Sequence, residues 1–315
     1  MSNQLSVQGF HHITAISGDA QSNVDFYAGV LGLRLVKVTV NFDDPTAYHL
    51  YYGDGIGTPG TALTFFPYAG GRSARTGNGA FGTTILAIPE GSMGFWEERL
   101  ASKGVSAIRS RSPFGEESLE FGDVDGFAIA LQEKVTKEPV RWEGSEVPFE
   151  HAIRGVTTMQ LHSRSGSSAN FVVDQLGGEV LDEKEGVVRL AIGEGNHIDL
   201  STVDREALSG HGGIHHVAVA VKDEAEQEAF HARLYEQGRH VSPVMNRTYF
   251  KSIYFREPGG ALYEIATLGP GFTVDETLTD LGAGLYLPPQ YESHRAAIEA
   301  NLPRLKLPSG VVVGG

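Results

Sequence analysis

Apolar and polar positions along the chain repeat one pattern four times. A short apolar run and a turn lead into a helix-spaced apolar stripe, then a glycine, then alternating runs closed by a hairpin. The first run is Phe10 to Ile16, followed by Val24, Tyr27, Val30 and Leu31 at helical spacing and stopped at Gly32. The second is Thr83 to Ile88, with a helix around Phe95, Trp96 and Leu100 and then Gly104. The third is Val156 to Leu161, with Phe171, Val172, Gln175 and Leu176 before Gly177 and Gly178. The fourth is His215 to Val221, with Ala229, Phe230 and Leu234 before Gly238. Units starting near residues 10, 83, 156 and 215 predict four βαβββ modules.

A module with one apolar sheet face exposed is not stable alone, so the modules must pair. The expected class is α+β, four βαβββ modules paired into two domains. Modules one and two form an N-terminal domain over residues 1–137, and an acidic linker covers 138–150. Modules three and four form a C-terminal domain over 151–271, and an extension over 272–315 wraps the second pair. The tail after Leu307 reads as loose, or as an edge strand.

Composition narrows the function. Lysine plus arginine less aspartate plus glutamate is 25 − 39 = −14 over 315 residues. So acidic a surface repels phosphate backbones, and nucleic acid is not an expected partner. The chain has no cysteine, which removes disulfides, zinc ribbons, iron–sulfur clusters and a thiol nucleophile. Met1 to Gly9 has neither a basic stretch nor an apolar core, so no signal peptide is expected. No apolar run reaches the ~18 residues of a membrane span. A cytoplasmic protein is the expectation.

Two registers run through the repeat. A glycine stands three residues before a marked position: Gly9 before His12, Gly155 before Thr158, Gly213 before His216. In the closing hairpin a glycine stands four residues before a position on the last strand: Gly60 before Thr64, Gly126 before Ala130, Gly195 before Asp199, Gly260 before Glu264. Module four alone has both a histidine and a glutamate at these positions.

On a strand, Glu264 shares a face with Leu262 and Ala266, and no lysine or arginine lies beside it in sequence. Such a carboxylate is either solvated or compensated by a cation; because the strand is otherwise apolar, a metal ion is the natural answer. His12 and His216 occupy matched positions. Two histidines and one carboxylate make a facial triad with open coordination positions, which suits Fe(II) and nearly as well Mn(II). Successive strand residues face opposite ways, so one histidine of each pair faces the cavity. Thr14, on the same face as His12, favours the second member. His11 and His215 are then either neighbours of the ligands or histidines packed under the sheet. Arg247 is either a surface-loop arginine or a partner for an anionic ligand. Tyr254 is either a core aromatic or a hydrogen-bond donor at the metal.

The glycine-rich, basic stretch Gly70 to Gly79 lacks the Gly-Lys-Ser/Thr ending of a phosphate loop and reads as a connection near the cavity mouth. His49, His151, His162, His197, His211, His231, His240 and His294 have no matched carboxylate and read as structural. Asp199 has the matching repeat position, but its module offers Thr158 instead of a histidine, so no metal is expected between modules two and three.

Gly9-Phe10-His11-His12-Ile13-Thr14, Tyr48-His49-Leu50-Tyr51-Tyr52, Gly57-Thr58-Pro59-Gly60-Thr61, Gly213-Ile214-His215-His216 and Asn246-Arg247 through Tyr254 to Glu264 together resemble the vicinal oxygen chelate superfamily. That superfamily includes glyoxalases and extradiol ring-cleaving dioxygenases. The nearest resemblance is to the branch containing hydroquinone 1,2-dioxygenases, over about residues 7 to 295. It implies Fe(II) held by His12, His216 and Glu264. It implies further that His11, His215, Tyr254 and Arg247 act in catalysis and that Thr14, Arg247 and Tyr254 touch the substrate. An aromatic diol and dioxygen are the implied partners, and a homo-oligomer is compatible with the pattern.

Three other readings stand beside this one. A glyoxalase-like isomerase needs a second carboxylate where module one has Thr64. A catechol extradiol dioxygenase draws its triad from the second domain alone, whereas His12 lies in module one. A non-enzymatic binding protein needs no triad.

Overall fold

A computed structural model describes residues 5–315. The first four residues of the N-terminal stretch considered above lie outside it. Each repeat folds as βαβββ. Module one is β1 (Phe10–Ser17), α1 (Ala20–Val24, continued by a π-helical turn over Asp25–Val30), β2 (Arg34–Asn41), β3 (Asp44–Gly53) and β4 (Ala62–Pro67). Module two is β5 (Ala80–Ile88), α2 (Met93–Ser102), β6 (Ile108–Arg111), β7 (Glu117–Gly122) and β8 (Ala128–Glu133). Module three is β9 (Gly155–His162), α3 (Ser167–Leu176), β10 (Glu179–Lys184), β11 (Val187–Ala191) and β12 (His197–Ser201). Module four is β13 (Ile214–Val221), α4 (Glu224–Glu236), β14 (Met245–Asn246), β15 (Lys251–Arg256) and β16 (Leu262–Thr267). The hairpin glycines Gly60, Gly126, Gly195 and Gly260 all have left-handed φ, between +70° and +108°. A side chain there would be strained, so one residue type ends the same turn in every module.

Two eight-stranded sheets result, and their composition differs from the expected division. One sheet runs β14-β15-β16-β13-β1-β4-β3-β2 and the other β10-β11-β12-β9-β5-β8-β7-β6. Module one therefore pairs with module four, and module two with module three. The segment 138–150, expected to link two domains, separates consecutive modules and not the two sheets. Each sheet joins its halves through one central antiparallel pair: β1 with β13, and β5 with β9. A single cluster of buried apolar side chains runs through both halves of the molecule.

The segment after residue 271 also departs from expectation. It packs on the module one–four sheet rather than wrapping modules three and four. Phe272 and Leu281 join Val36, Tyr51, Tyr249 and Phe250 in a second apolar cluster. Leu285 bridges to Val38 at the edge strand β2. The fully buried Lys37 ties this segment down, with Nζ 2.5 Å from Asp275 Oδ1 and a second ion pair to Glu276. The final turns are α5 (Arg295–Asn301) and a two-residue ribbon of β17 (Leu305–Lys306) and β18 (Val312–Val313).

Candidate active site

The central strands of the module one–four sheet bring the distant residues together by register. His12 faces Ala218 across β1 and β13, Ala218 faces Glu264 across β13 and β16, and Glu264 faces Tyr254 across β16 and β15. One rung, His12–Ala218–Glu264–Tyr254, thus lies on the inner face. The neighbouring rung is Tyr51–Thr64–Thr14–His216. The small Ala218 leaves room above itself for the imidazole of His12 and the carboxylate of Glu264 to converge.

They do converge. Glu264 Oε2 lies 2.9 Å from His216 Nε2 and 3.3 Å from His12 Nε2, and the two nitrogens are 3.4 Å apart. All three residues are buried, Glu264 completely. Among the described residues these three form the one group placed to hold a metal ion. An octahedral ion about 2.1 Å from each donor sets neighbouring donors about 3 Å apart, close to this triangle. Glu264 Oε1 accepts a hydrogen bond from Ser252 Oγ, whereas Oε2 makes no hydrogen bond of acceptable geometry. A fully buried carboxylate oxygen without a donor, facing two imidazole nitrogens, fits a cation. Burial alone would raise the Glu264 pKa; His12 and His216 outweigh it and hold the carboxyl well below its usual range.

The second sheet carries the same register with a different occupant. There Asp199 stands where Glu264 does, and facing it across β11 and β12 is Arg189. The guanidinium grips Asp199 at 2.8 Å through two nitrogens and reaches Glu116 at 2.7 Å. A protein cation compensates that carboxylate. Glu264 has no such partner.

The histidine pairs behave alike. His11 Nδ1 is 2.9 Å from His12 Nδ1, and His11 Nε2 is 3.1 Å from the carbonyl oxygen of Thr267. His215 Nδ1 is 2.7 Å from His216 Nδ1. The Thr267 carbonyl fixes the proton of His11 on Nε2, so His11 Nδ1 accepts from His12 Nδ1–H and His12 Nε2 is left bare. Burial, then His12, lowers the His11 pKa to about 3, so it stays neutral.

A cavity of about 500 Å³ opens over the triad. Of the residues singled out from the sequence, His12, His216, Glu264, His215, Arg247 and Tyr254 line it. His11 and Thr14 do not. His11 sits behind His12, and the Thr14 hydroxyl is 2.7 Å from Thr64 Oγ1. Arg247 reaches inward from the loop before β15: Nε donates to Tyr254 Oη at 3.1 Å, and Nη1 and Nη2 donate to Asp43 at 3.1 and 2.8 Å. Burial, then Glu264, raises the Tyr254 pKa, so its phenol stays protonated.

His49, read as structural, lies in the cavity wall. Its Nδ1 is 2.8 Å from Tyr51 Oη and its Nε2 is 2.9 Å from Thr64 Oγ1. Burial holds its pKa well below the ordinary value, so the ring is neutral. The missed signal is a second repeat: His49-Leu50-Tyr51 in β3 matches Ser252-Ile253-Tyr254 in β15, each pair beside its module's closing strand. Asp43, from the hairpin before β3, was also missed. So was Ser209, from the segment that zips against the glycine-rich stretch through Ser73–His211 and Arg75–Leu208 bridges.

The paired βαβββ modules and the three-residue group placed to hold a metal ion define the fold and the candidate site, and sequence comparison gives the family. The family model described as Glyoxalase/Bleomycin resistance protein/Dioxygenase superfamily matches residues 9–131 and 159–265. MhqO of Bacillus subtilis (strain 168), named as a candidate ring-cleaving dioxygenase, is 44% identical over 298 residues, covering 93% of this chain and 95% of its own. A chlorohydroquinone/hydroquinone 1,2-dioxygenase from Sphingobium indicum is 34% identical over 301 residues, covering 91% and 93%. A crystal structure of a candidate dioxygenase from Bacillus subtilis subsp. subtilis str. 168 superposes with a TM-score of 0.90 at 43% identity, covering 94% of this chain and 97% of the other. The chain belongs to the Glyoxalase/Bleomycin resistance protein/Dioxygenase superfamily. Within it the chain falls among the ring-cleaving dioxygenases, and it is an enzyme of that class. Glyoxalase I from Zea mays shares the fold, with a TM-score of 0.62 at 16% identity over 82% of this chain and 92% of the other.

Proposed function

We propose that this enzyme uses Fe(II), held by His12, His216 and Glu264, to open hydroquinone-type aromatic diols with dioxygen; Mn(II) suits the same donors. The observation that carries this reading is the orphaned Oε2 of Glu264 between two bare imidazole nitrogens at the floor of an aromatic-walled cavity. When bound, the ion supplies a route for electrons from a phenolate to dioxygen. Two neutral imidazoles and one carboxylate would leave a divalent ion with one net positive charge, which favours an anionic phenolate ligand.

The chain's own groups do the rest. The Thr267 carbonyl and His11 hold the proton of His12 on Nδ1, and the matching His215–His216 contact suits the same arrangement, so both Nε2 atoms would be free to hold the ion. With Nδ1 accepting from His216 Nδ1–H, the neutral His215 ring carries its proton on Nε2 and lines the cavity, where that N–H is placed to donate to an oxygen of the bound diol. Arg247 donates to the oxygen of Tyr254, which turns the Tyr254 hydroxyl hydrogen toward the cavity to meet developing negative charge. Phe42, Phe66 and Phe250 supply apolar wall for the ring and keep water out. His11 and Thr14 act from behind: His11 through His12, and Thr14 through Thr64, which meets His49. In the overall reaction one ring C–C bond beside a hydroxyl-bearing carbon breaks and both oxygen atoms enter the product, giving a carboxylic acid and an aldehyde.

A glyoxalase-like activity is disfavoured because Thr64, at the place of a second carboxylate, is tied to Thr14 and His49. The test is anaerobic loading with Fe(II) followed by oxygen uptake with hydroquinone and with catechol. One oxygen consumed per hydroquinone, with an acid product, is expected. No uptake with either diol overturns the reading, and faster turnover of catechol overturns the substrate class.

A further inference from the structure

A second chamber of about 340 Å³ adjoins the metal cavity, and the two share Ser209, His215 and Leu262 as a common wall. Its far side is built from the glycine-rich stretch before β5 and the segment before β13, which pair with one another. In a chain with 39 acidic residues, none lines this chamber. Its charged side chains are Arg75 and Arg256. Arg75 donates to the backbone carbonyl of Glu206 at 3.3 Å, and Arg256 Nη1 to the carbonyl of Gly260 at 2.6 Å. Unlike Arg247, which Asp43 neutralises, neither has a carboxylate within ion-pairing distance among the described residues. Both arginines are exposed at the rim of the chamber, so two guanidinium groups flank one open space with no ion-pair partner among the described residues, one histidine away from the reacting centre.

We infer that this chamber binds a carboxylate. Guanidinium groups match carboxylate oxygens with paired hydrogen bonds, and a chamber lined by no acidic side chain does not repel an anion. Two sources supply the same chemistry. One is a carboxylate carried on the ring of the diol. The other is the acid created by ring opening, an assignment that rests on the activity proposed above. In either case the ligand spans the wall at His215, with its unsaturated part over the triad and its anion between Arg75 and Arg256.

The test compares the wild type with Arg75→Gln/Arg256→Gln, neither residue belonging to the triad or its surroundings. Calorimetric titration of cis,cis-muconate, an open-chain unsaturated dicarboxylate, into metal-free protein asks about the chamber without asking about turnover. Expected is binding that weakens with salt and is lost at least tenfold in the double variant, with thermal unfolding unchanged. Equal binding by both proteins, or none by the wild type at 10-fold excess over millimolar protein, as chosen to reach weak anion affinities, overturns the inference. With iron-loaded enzyme, a tenfold fall in kcat/KM for 2,5-dihydroxybenzoate relative to hydroquinone assigns the chamber to a substrate carboxylate. An unchanged ratio with weaker inhibition by muconate assigns it to the product. If neither diol is turned over, the proposed reaction fails while the muconate titration still decides the chamber.

Discussion

Asp43 and Arg247 close a two-point ion pair across the mouth of the metal cavity, joining the hairpin before β3 in module one to the loop before β15 in module four. The same guanidinium holds Tyr254 through Nε. Releasing the Asp43 end frees Arg247 to turn and leaves the Tyr254 hydroxyl unaimed. Asp43→Asn should lower kcat/KM about tenfold, equivalent to about 1.4 kcal/mol, through kcat more than KM. Metal content should not change. Steady-state kinetics beside iron quantitation checks this, and a loss of iron would show that the pair supports the site rather than the chemistry.

Ala218 sits in the rung between His12 and Glu264. A valine there places two methyl groups where the two side chains converge. Overpacking a dense core costs about 1–3 kcal/mol and displaces neighbours. Ala218→Val should fold yet retain less than a tenth of the wild-type iron after anaerobic loading, whereas Ala218→Gly should load normally. Full iron occupancy in the valine variant would mean that the convergence does not depend on this gap.

Lys37 is fully buried, with Asp275 and Glu276 on its ammonium and the rings of Tyr249 and Tyr286 within 5 Å. Removing one partner of a buried ion pair strands the other, at about 3–5 kcal/mol. Lys37→Met should lower stability by about that much in urea and expose the chain beyond residue 271 to protease. Adding Asp275→Asn and Glu276→Gln should recover most of the loss, because no buried charge then remains unpaired.

Glu116 carries the pH prediction. Burial opposes its charge, but Arg189 and Lys134 pull its pKa down to about 2 from the ordinary 4.5. A carboxyl lowered on folding contributes stability above its unfolded pKa and loses it as pH falls toward the folded one. The contribution is therefore complete at pH 7 and fades between about pH 4.5 and pH 2. The side chain is 26% exposed, so about 1–2 kcal/mol survives solvent screening. Glu116→Gln should cost that much at pH 7 and little near pH 2.5, measured by denaturant titration at both.

The four modules were legible because strand and helix periods differ and the hairpin glycines recur. Their pairing was not. β1, β5, β9 and β13 are all apolar strands that could join at the same edge, and nothing local to any one of them selects its partner. The choice is made by long-range closure, which also carried the segment after residue 271 to the module one–four sheet. The three residues of the His12–His216–Glu264 group were legible because repeats can be compared, and Glu264 lacked a cation nearby in sequence. His49 reads as structural from sequence because the matching closing strand offers Thr64 and not a carboxylate. Its partner is that threonine, and its counterpart in module four is a serine. Arg247 and Asp43 lie 204 residues apart, so their meeting became visible only once the sheet was closed.

Crossed pairing has a consequence for how the enzyme is made. His12 leaves the ribosome early, but the strand that places Glu264 beside it is the last of the module strands to be synthesised. A growing chain holds no complete His12–His216–Glu264 group, so any metal loading there belongs to the finished polypeptide. A gene split at the 138–150 segment would yield two products, each with half of every sheet, that regain a centre only by reassembling.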